Sequence, residues 1–149
     1  MLGELSTSEI ESVLANNVVG RLGVQADGKV YIVPVTYVYA GGAIYGHTTE
    51  GLKIDLLRKN PQCCFEVDEI QTIADWQSIM AWGRFEELQG VEAADALEKI
   101  SAKLLPMFPG ETSHPSRMGP TSSGRTSTQS GNSIVYRIVL TEKTGRYER

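Results

Sequence analysis

The sequence predicts an α+β fold, mainly β, in which six antiparallel strands build one sheet flanked by three helices. Two observations carry that expectation. β-Branched and aromatic runs recur between turn residues along most of the chain, and three stretches switch to helical spacing with clear starts or stops. The order helix, three strands, helix, two strands, helix, strand does not alternate strand with helix, so the sheet is antiparallel rather than doubly wound. A chain of 149 residues that is 41% apolar supports one core and a single domain over residues 1–149.

Residues 6–16 open with Ser6 three positions before Glu9, a capping box, with Leu5 and Ile10 placed to staple across it. Ile10, Val13 and Leu14 then fall on one side of a short helix that lies on the sheet. VVGRLGV, VYIVPVTYVY and AIYGHT follow as a three-stranded meander, joined by Asp27-Gly28 and Gly41-Gly42, residues suited to the positive φ angles of tight hairpins. The middle strand is apolar on both faces and reads as central, yet it contains Pro34. Proline cannot donate to a ladder, so an edge, a bulge or a ligand must interrupt the sheet there. Residues 51–60 read as a second helix stopped by Pro61, CCFEVDE as a fourth strand, and residues 76–88 as a fifth. Residues 91–105 carry Ala93, Leu97, Ile100 and Leu104 at helical spacing before Pro106, and SIVYRIVLTE is the last strand. Residues 106–132, rich in Pro, Gly, Ser and Thr, are too long for an ordinary connection and are expected to be either disordered or a functional arm or lid. Six strands could close into a small barrel, and a two-fold dimer would cover its exposed edges, so a homodimer is expected.

Composition removes several classes of function. The formal charge of -4 offers no positive field to a nucleic-acid backbone. No run reaches the ~18 apolar residues of a membrane span, and the first residues lack the basic start and apolar run of a leader, so neither membrane nor export is expected. Cys63 and Cys64 are adjacent and point to opposite faces of a strand, which disfavours a disulfide and fits a reducing, cytoplasmic setting. There is no phosphate-binding glycine loop, no nucleophile elbow and no metalloprotease motif, and two distant histidines cannot complete a zinc site.

Two places remain where chemistry could gather. In GHTTEGLKIDLLRKNP, Thr48, Thr49 and Lys53 surround a helix start, where exposed N–H groups and the helix dipole favour a phosphate. The plainer alternative makes Thr48 or Thr49 an N-cap and Lys53 a solvated side chain. His47 adds a ring beside them, as a hydrogen-bonded structural residue or a catalyst. The second place is Pro34, where a broken strand frees polar backbone groups for the edge of a flat heterocycle, unless the break is simply a bulge or an edge. The scattered Tyr31, Tyr37, Tyr39, Trp76 and Trp82 read as core or dimer interface.

GRLGV, YIVPVTYVY, IYGHTTEGLKIDLLRKNPQCCFEVDE, WQSIMAWGRFEEL and VYRIVLTEKTGR, in that order across residues 9–146 outside the 106–132 insert, resemble the pyridoxamine 5'-phosphate oxidase-related family of FMN-binding split barrels. The nearest likeness is to its nitroimidazole-resistance-type branch. The resemblance implies a six-stranded split β-barrel dimer with FMN at the interface. Carried over by position, Pro34, Val35 and Thr36 face the flavin edge, His47 and Thr48 lie near the ribityl chain and phosphate, Lys53 pairs with the phosphate, and Arg21 is a further cofactor contact. The oxidase itself has an Arg-Lys pair where this chain has Leu52-Lys53, so Arg21, Arg58, Arg117 or Arg125 is needed to supply the second charge. The second strand, YIVPVTYVY, also lacks the charged residues that receive the oxidase's phosphorylated vitamin.

Two functions follow from that likeness. One is an FMN-dependent oxidoreductase, nitroreductase-like or oxidase-related, that passes electrons to a small organic acceptor, with His47 as the candidate acid. The other is a non-catalytic protein that binds flavin, deazaflavin or haem, with His47 or His114 as an axial haem ligand.

Overall fold

The computed structural model describes residues 1–107 and 133–149. In chain order these form β1 (Leu2–Glu4), α1 (Thr7–Asn16), β2 (Val19–Ala26), β3 (Lys29–Thr36), β4 (Val38–Ala40), β5 (Ala43–Thr49), α2 (Leu52–Lys59), β6 (Gln62–Thr72), β7 (Asp75–Glu87), α3 (Gly90–Leu104), a 3-10 turn (Leu105–Met107) and β8 (Ser133–Glu148). From residue 108 on, the expectation of a disordered or functional insert lies outside the described residues, as do His114, Arg117 and Arg125.

The elements arise where local chemistry calls for them. Ser6 Oγ accepts from the Glu9 N–H at 3.2 Å, and the Glu9 carboxylate accepts from the Ser6 N–H at 2.7 Å, which closes the capping box of α1. Both hairpin turns use consecutive positive φ angles, 54° and 75° at Asp27 and Gly28, and 57° and 80° at Gly41 and Gly42. That mirror-image turn matches the right-handed twist of the paired strands.

The strands are antiparallel in the order β3-β2-β6-β7-β8-β5-β4, with β1 added against β8. Eight strands are therefore present among the described residues, where the sequence predicts six. Residues 2–4 pair with 146–148 at the far end of β8, a contact between distant residues that no local pattern announces. The predicted second strand also divides in two, and it divides at Tyr37 rather than at Pro34. Tyr37 is fully buried, donates its hydroxyl to the Leu14 carbonyl at 2.7 Å and meets Phe65 edge-on at 4.8 Å. Before it the chain pairs with β2, and after it with β5, so this one residue joins the two ends of the strand order.

Leu22, Val24, Ile44, Phe65, Val67, Ile79, Ala81, Tyr136 and Ile138 face inward, and α1 and α2 complete that core with Leu14, Ile54 and Leu57. On the outside, α3 sets Ile100 and Leu104 against Val38, and Ala96 against Leu88 and Val135. The outer face of β4, β5 and β8 is thus covered. The outer face of β3, β2, β6 and β7 has no helix over it among the described residues, and Val30 and Ile32 are 71% and 68% exposed. β3 is an edge strand, which corrects its predicted central position. Pro34 is tolerated there because the ladder points its nitrogen away from β2. Tyr37 donates to the Val18 carbonyl at 2.9 Å, and the two-residue period makes Val35 and Val33 the bonded positions, leaving Pro34 between them.

Candidate functional site

The sheet opens between β3 and β5. Pairing of β4 with β5 runs from Ala40↔Ala43 to Val38↔Tyr45 and stops. Continued by register, it would set Thr36 opposite His47 and Pro34 opposite Thr49. Instead β5 stays with β8 as far as Thr49↔Ser133 and then leads into α2, so the outer edge of β3 faces a split rather than a strand. Strand alternation turns the side chains of Pro34 and Thr36 outward, while Val35 packs inward against the core and bonds to β2 through its backbone. Of these three candidates, Pro34 and Thr36 line the split and Val35 supports it from behind.

On the other side of the split, the N-cap of α2 is Gly51, in an extended conformation, with no side-chain cap. The N-cap alternative for Thr48 and Thr49 is therefore overturned, and among the described residues the first-turn N–H groups of α2 have no side-chain acceptor. Lys53 is not a solvated side chain either. It is half-buried and donates to Thr48 Oγ1 at 2.7 Å. Burial alone pulls its pKa below the ordinary lysine value, and among the described residues no carboxylate lies within ion-pairing distance. Two other lysines are paired with acids: Lys59 with Asp27 at 2.5 Å and Lys143 with Glu11 at 2.7 Å. A half-buried ammonium beside a helix start is an arrangement whose chemistry would suit an anion.

The remaining candidates do not join Lys53. His47 lies on the opposite face of β5 from Thr48, and its Nε2 is 2.6 Å from Ser133 Oγ. Arg58 is held between Glu87, 2.5 Å from its Nε, and Glu50, 2.8 Å from Nη1, so it is already neutralised and does not supply the second phosphate charge. Arg21 lies on the bare outer face, 3.6 Å from Glu66 and 3.7 Å from Asp68. Together the two acids outweigh it, which makes that corner unfavourable for a phosphate dianion. Sequence reasoning missed Ser133, since one serine at the start of a strand carries no signal until β5 and β8 are in register.

The fold recurs in known proteins. A family model described as pyridoxamine 5'-phosphate oxidase matches residues 6–147. The chain belongs to the pyridoxamine 5'-phosphate oxidase family. Among curated proteins, an uncharacterized protein of Rhizobium meliloti is 33% identical over 88 residues, a match spanning 59% of this chain and 58% of that protein. Among solved structures, a FAD-binding protein of Mesorhizobium loti is similar with TM-score 0.74 and 27% identity, covering 100% of this chain and 99% of that one. A candidate 5-nitroimidazole antibiotic resistance protein of Bacteroides thetaiotaomicron has TM-score 0.71 and 19% identity over 99% and 87% of the two chains, a likeness of fold. Leu52, beside Lys53, is an exposed leucine.

Proposed function

We propose that the chain binds FMN in the split between β3 and β5 and, as a cytoplasmic homodimer, uses it to pass electrons to a small organic acceptor. The observation that carries this reading is Lys53, a half-buried lysine with a threonine for a partner and, among the described residues, no acid. A phosphate dianion would satisfy that ammonium and the uncapped first turn of α2 together, and the β3 edge at Pro34 and Thr36 offers backbone groups to a polar ring edge. A bound flavin would supply the electron transfer; the protein supplies placement and the exclusion of water. Purified protein is expected to be yellow, with visible bands that bleach under dithionite and return in air. A colourless protein that gains no flavin fluorescence quenching on titration with FMN would sink the reading.

FAD is the second reading, favoured by the 27% identity to a FAD-binding relative. Chromatography of the flavin released by heat separates the two, and FAD at one per chain would replace FMN in the proposal.

The bare outer face supports the dimer. Val30, Ile32, Pro34 and, across β2 and β6, Trp82 are exposed on one side of the sheet beside the open edge of β3, a surface prone to associate unless it is covered. A second copy, related by a two-fold axis, fits that self-facing patch. Sedimentation should give a dimer at micromolar concentration, and Ile32→Lys should weaken it by roughly 100-fold or more, as for an interface anchor. A wild-type monomer at that concentration removes the dimer from the proposal.

A further inference from the structure

His47 and Ser133 meet at the place where β5 leaves β4. His47 pairs in register with Val135, so Ser133 is its diagonal neighbour on the same outward face of the β5–β8 ladder, and their side chains close to 2.6 Å. The ladder itself does not require this bond, because β5 and β8 are already joined by seven backbone register pairs. Its value lies in the chemistry of a hydroxyl. Serine can donate to a bare imidazole nitrogen or accept from a protonated one, so the contact persists whichever state the ring is in. A carboxylate in that place would favour the charged ring, and a carbonyl would fix one tautomer. Ser133 does neither, and so holds the ring in place without itself favouring one charge state.

The surroundings fit a proton-bearing role. On the same face of β5 and β8 lie Tyr45, Thr49 and Val135. Arg137 is also there, but it is occupied by Glu86 at 2.7 Å and Glu92 at 3.4 Å, and Lys99 of α3 lies over the Tyr45 ring at 5.7 Å. From α2, Lys53 contacts Thr48 on the opposite face of the strand, and Arg58 is closed by Glu50 and Glu87. By register, the position across the split from His47 is Thr36.

We propose that Ser133 is a positioning residue for His47, holding the imidazole at the outer lip of the split as the group that exchanges a proton and a hydrogen bond with whatever occupies it. This rests on the reading of the split as a flavin site. The proton moves between the imidazole nitrogen and the bound molecule or water, and no other bond changes. The chain contains only two histidines, so a His114→Gln background leaves a single imidazole to follow by NMR. In the flavin-free protein, Ser133→Ala should move the His47 titration midpoint by about 0.5 pH unit and redistribute its nitrogen tautomers, with Ser133→Thr returning both toward wild type. Adding FMN should shift the His47 ring signals, and the pH dependence of FMN affinity, read by flavin fluorescence, should follow the His47 midpoint in wild type and move with it in Ser133→Ala. A His47 titration indifferent to Ser133→Ala overturns the proposal. So do ring signals that ignore FMN while FMN binds. If no flavin binds at any pH, the flavin reading fails, and the flavin-free spectra still decide whether Ser133 governs His47.

Discussion

The seam between β7 and β8 and the gap between β3 and β5 belong to the same sheet, yet they are built on opposite terms. β7 and β8 stay in register from Trp76↔Glu148 to Glu87↔Tyr136 with one irregularity after Trp82, over a core in which Ile79, Ala81, Tyr136 and Ile138 are essentially inaccessible. β4 and β5 share three register pairs before they part, and beside that gap lie an exposed apolar edge and a lysine with no acid partner among the described residues. Stability resides in the seam, and unsatisfied binding capacity resides in the gap. A substitution on one side should therefore be felt in folding and on the other in binding, and each prediction below tests that division.

The largest effect belongs to the closed side. Phe65 on β6 is 1% exposed, faces Tyr37 edge-on and lies under β2. Phe65→Ala should cost about 3–5 kcal/mol of stability, through lost burial and the cavity left behind. Denaturant unfolding checks it, and a loss under 1 kcal/mol would mean the core is far more yielding than its packing shows. Because Tyr37 is where the chain changes partners from β2 to β5, the same variant should also loosen the split and weaken flavin binding, the one place where the two regions are mechanically joined.

The next effect belongs to the gap. Lys53→Ala should lower flavin affinity by at least roughly 10-fold, the worth of one charge-assisted hydrogen bond, while the unliganded protein melts no lower than wild type. The sign follows from the direction of its pKa. A lysine whose folded value is depressed carries its cost while protonated, and that cost lifts as pH rises through the lowered value, so removing the side chain relieves the folded state below that pH. For binding the sign reverses, since phosphate needs the ammonium. Wild-type affinity should therefore fall as pH climbs toward the lowered lysine value, and the variant should lack that alkaline fall. Flavin retained in full by Lys53→Ala would remove this residue from the site.

The same division separates what the sequence made legible from what it hid. The capping box at Ser6 and Glu9 and the two hairpin turns are decided by residues within four positions of each other, and the structure has them as read. The helix-start anion site was legible as a position, with Thr48 and Lys53 near it, but the property that matters, the lack of an acid, depends on where Glu50, Glu87 and Asp27 go. Those three are taken by Arg58 and Lys59. Pro34 announced an interruption of the sheet, and of the edge, bulge or ligand it allowed, the structure has an edge there, while the strand itself divides three residues later at Tyr37. The switch of partners is governed by the buried Tyr37 ring and the Leu14 carbonyl it reaches, a contact across 23 positions. Ser133 and β1 were invisible for the same reason, being given meaning only by strands that arrive from the far end of the chain.

The smallest expected effect lies between the two regions, on the bare outer face. Glu66 sits beside Asp68, with Ser78 donating to one carboxylate oxygen at 3.2 Å while the other, Oε1, is buried without a hydrogen bond and 3.6 Å from Arg21. Burial first, and Asp68 second, raise its pKa above the ordinary carboxylate value. The folded state therefore holds this proton more tightly than the unfolded chain does. Wild-type stability should gain as pH falls from neutrality through the raised value, and the charged form should weaken the fold above it. Glu66→Gln removes that charge and gives Asp68 a donor, and the Arg21 contact it loses is long and half exposed, hence weak. The variant should be about 0.5–1 kcal/mol more stable at neutral pH and should lose the acid-side gain, which paired thermal melts between pH 5 and 8 would show. A second copy laid over this face would deepen the burial, so the difference should widen with protein concentration if the face is the dimer interface. If Glu66→Gln destabilises at neutral pH, Arg21 and Glu66 are a working ion pair, and the bare face is held by charge in its own right.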